Sequence, residues 1–461
     1  MEFVGRNREL AIIDDHLSRP GGALFVLWGR RRIGKTALVE RFIKGQTSAA
    51  YHVASRSTAI EELGRLSHTL ASAWDEPLLA AQPLSNAEAF TAFLAGVKGP
   101  AVLVLDEFPY LVESMPALPG LLQAAWDRAI SKSNLKIVVL GSSVGMMEEV
   151  FLSQRSPLFG RRTGQIRLGP LTPSEIEPAF PGTLVHRIEV VAAIGGVPGY
   201  LQRLDPSLDL GENLRTRVLH PGEPLYEEVP FLLREELRQP HVYLAILAVV
   251  ASGARKFGEI SSKVGLDRAN LTRYLAVLAE LGLLEREVSV TEMQPEKSRK
   301  GLYRIADPFL STWFSFVHPH RDLIERGLGD AVYRDLVLPR LHDFLSRAVE
   351  PVVRDLIRES ALGDLVPFPV ARAGRHWSPT AEFDMVLLDV SGSQAFVGEL
   401  KWSRGPVPVS LLDDLRKRVA REPSLSMMDL TFGLLSRAGF SGRRPLSADE
   451  RLVDLSCCPE P

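Results

Sequence analysis

Three stretches in the first third of the chain are apolar without alternation: "GGALFVLW" at 21–28, "AVLVLDEF" at 101–108 and "LKIVVLGSS" at 135–143. Short continuous runs closed by glycine or polar residues predict strands buried on both faces, as in a parallel sheet. A helix is expected directly after the first run. Beyond residue 240 the pattern changes to three helical segments with short links. These are "VYLAILAVVAS", then "KFGEISSKVGL" turning at Gly265, then "DRANLTRYLAVLAELGLLERE" closing at Gly282. Two short strands, "LLEREVSV" and "GLYRIADP", predict a hairpin across "TEMQPEKSRK" and complete a winged helix-turn-helix. Near the end, "SRAVEPVVRDLI" reads as a helix, and "EFDMVLLDV" and "AFVGELKWS" as strands. Trp313, Phe314 and Phe316 are expected in a core.

Composition narrows this picture without redirecting it. A chain of 461 residues exceeds what one core usually organises, and 45% hydrophobic with 24% charged residues is ordinary for globular domains. The net charge of -2 excludes a globally basic nucleic-acid coat, so any such contact must come from local patches. Two are expected. Asp267 as an N-cap would leave Asn270, Arg273 and Tyr274 on the outer face of the third helix, within reach of a DNA major groove. Lys297, Arg299 and Lys300 in the hairpin loop suit phosphates. The alternative is that the winged helix docks a protein, as such modules often do. Cys457 and Cys458 are the only cysteines, too few for a disulfide framework or four zinc ligands, which fits a reducing cytosol. "MEFVGRNREL" lacks the apolar centre of a leader, and no apolar run approaches about 18 residues, so a cytoplasmic protein without a membrane span is expected.

The chemistry begins at the loop after the first run. Gly29, Gly34, Lys35 and Thr36 satisfy G-x-x-x-x-G-K-[ST], a spacing in which backbone N–H groups wrap nucleotide phosphates. The cofactor contacts expected from the loop are Gly29, Arg30, Arg31, Arg32, Ile33, Gly34, Lys35, Thr36 and Ala37, with ATP and Mg²⁺ as ligands. Lys35 would reach the β/γ-phosphates and Thr36 the metal. Asp106 and Glu107 end the second run; Asp106 is expected to hold the metal through its water shell, and Glu107 to orient or deprotonate the attacking water. Ser142, ending the third run, is placed to sense the γ-phosphate.

These motifs, with the box "FVGRNREL" from Phe3 to Leu10, resemble the AAA-type ATPases of the archaeal and bacterial branch, which are STAND-like. "GRRRIGKT" is a form of the loop common in that branch. The resemblance implies a P-loop core over 1–170 and a helical lid over 171–240, followed by the winged helix over 241–320. It implies that Arg161 or Arg162, in "SPLFGRRTGQIRLGPL", reaches a neighbouring subunit's nucleotide, which requires a homo-oligomer; a surface ion pair is the alternative. It also places Pro198, in "AIGGVPGYL", near the nucleotide as the lid closes, although this turn lacks the arginine that such lids carry.

The remaining unit, from about 329 to 461, resembles the restriction-endonuclease-like fold in its order of an acid, then Asp, then E-x-K. That resemblance implies an α/β tail in which Glu350, Asp384 and Glu399 chelate Mg²⁺ and Lys401 activates water toward a phosphodiester. Glu399 and Lys401 share one strand face by alternation. The expected function is an ATPase coupling nucleotide state to DNA binding and metal-dependent cleavage. The alternatives are an ATPase switch whose C-terminal domains dock proteins, and a DNA-binding regulator without turnover.

Overall fold

The computed structural model describes residues 3–46, 48–298 and 300–457; Arg299 and Cys458, named above, lie outside the described residues. The chain divides into two compact units. One comprises Gly5–Pro170 with Val197–Gly199, and the other the residues up to Val4, Leu171–Gly196 and Tyr200 onward.

In the first unit the apolar runs become strands of one parallel sheet. β1 (Ala23–Trp28), β2 (Ala49–Val53), β3 (Ala101–Asp106), β4 (Leu135–Gly141) and β5 (Gly164–Arg167) lie in the order β2-β3-β4-β1-β5. Every residue of β1 and β3 is buried, which is why their sequences do not alternate. The edge strands β2 and β5 do alternate between covered and open positions. Parallel pairing brings the strand ends together at the sheet's C-terminal edge. Trp28 pairs with Gly141, and Val53 with Asp106, so the loops after β1, β3 and β4 open onto one rim. The helix Ala59–Trp74, started by a capping box of Thr58 and Glu61, covers one face with Leu63, Leu66 and Leu70.

The second unit begins with helices that include Leu184–Ile194 and Glu228–Glu236. The helices Pro240–Ala251, Phe257–Val264 and Arg268–Glu280 follow, with Gly265 in the left-handed region (φ 75°) as the turn requires. Asp267 caps the third helix, accepting the Asn270 N–H at 3.0 Å. β6 (Leu284–Glu287) and β7 (Leu302–Ile305) form the expected hairpin, but its first strand stops at Glu287. Residues 289–291 turn instead to the tail: Val290 N–H donates to the Arg375 carbonyl at 2.9 Å, and the Ser289 and Thr291 hydroxyls meet His376 Nδ1 at 3.1 and 2.9 Å. Val290 is part of the tail's hydrophobic core.

Trp313, Phe314 and Phe316 are core residues, as expected, and Trp313 Nε1 donates to the Tyr226 carbonyl at 2.8 Å. The helix Leu338–Arg358 then leads into a mixed sheet of β8 (Arg372–Trp377), β9 (Glu382–Leu388), β10 (Gln394–Lys401), β12 (Asp429–Ser436) and β14 (Glu450–Asp454). Its order is β14-β12-β10-β9-β8, antiparallel from β8 to β10 and parallel from β10 to β14. The two-residue β11 (Val407–Pro408) and β13 (Phe440–Ser441) pair beside it. Glu189, on the helix Leu184–Ile194, accepts from Trp402 Nε1 at 3.1 Å and pairs with Arg437 at 3.0 Å, tying that helix to the end of β10. Among the described residues no helix is long and apolar enough to cross a membrane.

Candidate nucleotide site

The loop between β1 and the helix Lys35–Ile43 is shaped by residues with little steric alternative. A Cβ on Gly29 would stand 2.6 Å from the Leu168 carbonyl, and Gly34 caps the helix at φ 93°. Ile33 is buried, whereas Arg32, Thr36 and Ala37 face outward. Gly199 N–H donates to the Arg32 carbonyl at 3.1 Å, and Pro198 Cγ lies 3.6 Å from where a Gly34 Cβ would be. Pro198 therefore borders the loop. Arg31 donates to the Tyr110 hydroxyl at 2.9 Å.

Two hydrogen-bonded chains meet at this rim. Lys35, only 5% exposed, donates to the carbonyls of Gly29 at 2.8 Å and Arg30 at 3.1 Å, and to Ser142 Oγ at 2.9 Å. Ser142 Oγ donates in turn to Glu107 Oε1 at 2.6 Å. Glu107 holds a left-handed backbone (φ 52°) at the start of the helix Phe108–Ser114. The second chain runs from Thr36 Oγ1 to Asp106 Oδ2 at 2.9 Å, with Asp106 Oδ1 accepting the Glu107 N–H at 2.8 Å. Lys35, Thr36, Asp106, Glu107 and Ser142 are thus brought together from three loops.

This geometry fits a metal–nucleotide ligand. The Thr36 hydroxyl donates its hydrogen bond to Asp106, which leaves its oxygen lone pairs for a cation, and the Lys35 ammonium rests on loop carbonyls that a phosphate can replace.

Sequence reasoning missed two residues of this rim. Arg6 donates to the carbonyls of Ile33 at 3.2 Å and Gly169 at 2.6 Å, bracing the loop; the box "FVGR" marked it without indicating a role. Tyr51 donates to Asp106 Oδ2 at 2.6 Å, and nothing in "AAYHV" signals that.

Arg161 pairs with Asp127 at 3.0 Å and donates to the Phe159 carbonyl at 3.0 Å. Arg162 donates to the Phe151 carbonyl at 2.6 Å. In the helix-turn-helix, Asn270 and Arg273 are exposed, but Tyr274 is not; its hydroxyl meets Gln239 and its ring packs edge-on against Tyr243. Tyr274 belongs to the apolar side of the helix, next to Leu271, Leu275 and Leu278.

The tail departs from expectation. Glu350, Asp384 and Glu399 do not converge on a metal position, and no group of three or more metal-ligating side chains exists among the described residues. Two of the three carboxylates are met by the chain's own cations. Glu399 pairs with Lys401 at 2.6 Å and with Arg418, and Asp384 Oδ1 lies 3.6 Å from Arg375 Nε. Glu350, pushed up to about 7 by burial and by the charge of Asp384, sits in the same neighbourhood. Strand alternation did set Glu399 and Lys401 on one face, where they neutralise each other.

Comparison with known proteins follows this layout. Residues 3–204 match an ATPase domain found predominantly in Archaea, 243–288 an IclR helix-turn-helix domain, and 313–419 a family of archaeal and bacterial proteins of unknown function. An uncharacterised protein of Methanocaldococcus jannaschii is 29% identical over 401 residues, 87% of each chain. Among solved structures, the Walker-type ATPase PABY2304 of Pyrococcus abyssi aligns with a TM-score of 0.52 at 21% identity, over 68% of this chain and 96% of that one. The ORC2 protein of Aeropyrum pernix aligns at 0.42 and 14%, over 71% and 94%. The fold is that of a P-loop ATPase followed by a helix-turn-helix and a C-terminal sheet domain.

Proposed function

We propose that this protein is an ATP-hydrolysing switch whose nucleotide state governs contact between its helix-turn-helix and DNA. The observation that carries the first half is the linkage of Lys35, Ser142 and Glu107 beside the Thr36–Asp106 pair on one rim. When bound, Mg²⁺–ATP supplies the electrophilic γ-phosphorus, with ADP as the leaving group. Lys35 would exchange the carbonyls of Gly29 and Arg30 for phosphate oxygens, Thr36 would direct its lone pairs to the metal, and the loop amides from Arg30 to Ala37 would bind the phosphates. Glu107 would take the proton of the attacking water, with Ser142 holding its carboxylate in line. The second half rests on the exposed face of the helix Arg268–Glu280, where Arg268, Asn270, Thr272 and Arg273 all stand in solvent.

The wing contributes less in this reading, because residues 289–291 are engaged by the tail. Lys297 and Lys300 remain exposed and available for phosphates. For the tail we favour a docking and bracing role over DNA cleavage, since Lys401, Arg418 and Arg375 compensate the carboxylates that would have to recruit a metal.

Two variants test the nucleotide half. Lys35→Ala should abolish ATP binding, whereas Glu107→Gln should retain binding and slow hydrolysis by two orders of magnitude or more, on the order of what general-base removal costs. Equal turnover in wild type and Glu107→Gln would overturn the assignment.

A further inference from the structure

The Asp106 carboxylate is 4% exposed and accepts three hydrogen bonds: from Glu107 N–H on Oδ1, and from Thr36 Oγ1 and Tyr51 Oη on Oδ2. A carboxylate offers about four lone-pair directions, so Oδ2 is saturated and one direction remains, on Oδ1. Of these donors, Tyr51 belongs to no nucleotide-binding motif. It stands on the edge strand β2, opposite Val104, with Val53 opposite Asp106 two positions on. In parallel strands these positions share one face, and the length of a tyrosine carries its hydroxyl diagonally to Asp106.

We propose that Tyr51 is a positioning residue for the metal end of the nucleotide site. It holds Oδ2 where that oxygen keeps the Thr36 proton, and so turns the free direction of Oδ1 and the lone pairs of Thr36 toward one cation. Without it, Asp106 keeps only the Glu107 N–H and Thr36 bonds, so its χ2 is less tightly set and Thr36 has a less fixed acceptor. The inference rests on the nucleotide assignment above and adds a residue outside its motifs. Groups that orient a metal's ligands, although they do not touch the metal, change its affinity by roughly 10- to 100-fold when removed.

The test compares ATP affinity in EDTA with ATP affinity in saturating Mg²⁺ for wild type and Tyr51→Phe, a substitution that keeps the ring and deletes only the hydroxyl. Expected are an unchanged affinity in EDTA, a metal-dependent gain in affinity about tenfold smaller, and a half-saturating Mg²⁺ concentration for turnover raised by a similar factor. In an Asp106→Asn background Tyr51→Phe should change neither quantity further, a coupling that a purely structural role would not show. A metal-dependent gain identical to wild type overturns the proposal. So does an equal loss of affinity with and without metal, or a melting temperature in EDTA lowered enough to account for the change. Absence of ATP binding by wild type under both conditions would overturn the nucleotide assignment itself.

Discussion

Glu350 is the residue whose charge state most depends on its surroundings. Burial first, then repulsion from Asp384, raise its carboxyl from 4.5 to about 7, against the opposing pull of Arg375 and Arg354. A raised carboxyl pKa means the folded protein binds the proton more tightly than the unfolded chain. The resulting stabilisation is complete below pH 4.5 and is lost as pH rises toward 7. Glu350→Gln, which fixes the neutral form, should therefore melt at the wild-type temperature near pH 4.5. At pH 8 it should be the more stable protein, by up to roughly 3 kcal/mol. Melting curves across that range, taken in EDTA, check this; a difference between wild type and variant that stays constant from pH 5 to 8 would show that Glu350 is already ionised in the fold. Glu107 carries a different constraint at the same scale. Its left-handed backbone is one that non-glycine residues adopt at some cost, and the Ser142 hydroxyl and N–H both bind its carboxylate.

At the scale of elements, the helix Arg268–Glu280 shows how a polar face is left open. Leu271, Tyr274, Leu275 and Leu278 bury one side, and the three- and four-residue spacing puts Arg268, Thr272 and Arg273 on the other. If this face meets DNA through phosphates as well as bases, replacing Arg268 and Arg273 together by alanine should weaken duplex binding. It should also lower the slope of log affinity against log salt by about two, close to one per phosphate contact. An unchanged slope would move the DNA surface elsewhere. The hairpin beside it carries a structural duty. Its first strand ends at Glu287 because the next residues are drawn to the sheet edge at β8, where a Cβ on Gly374 would come 3.2 Å from Val290. A side chain there would press on the packing of Val290, so the glycine leaves room for the crossing.

For the whole molecule, the proposed switch has a thermodynamic signature that does not depend on knowing its moving parts. If ATP changes the affinity for duplex DNA by some factor, DNA must change the affinity for ATP by the same factor. Titrating nucleotide into the Glu107→Gln protein with and without saturating duplex, and duplex into the protein with and without nucleotide, should return equal ratios different from one. Ratios of one in both directions would leave an ATPase and a DNA-binding module that share a chain without communicating.

What the sequence determined by itself is what depends on near neighbours. Continuous apolar runs become strands covered on both faces, the G-x-x-x-x-G-K-T spacing becomes a loop whose glycines meet backbone where no side chain fits, and Asp267 caps its helix through a bond three residues away. The acids after β3 and the serine after β4 were also legible, because parallel strands deliver their C-terminal ends to one rim whatever their exact register. What only the tertiary structure decided are contacts between residues far apart in the chain, each set by register or by competition among partners. Tyr51 reaches Asp106 only because β2 pairs with β3 in one particular alignment. Residues 289–291 leave their hairpin because the tail offers an unpaired strand edge and an apolar site for Val290. Glu399 pairs with Lys401 and Arg418, and Asp384 lies beside Arg375, because the folded sheet brings these residues of separate strands and helices together. A sequence carries the charges in order along the chain, whereas Coulomb energy depends on their separation in space, and only the folded chain sets that.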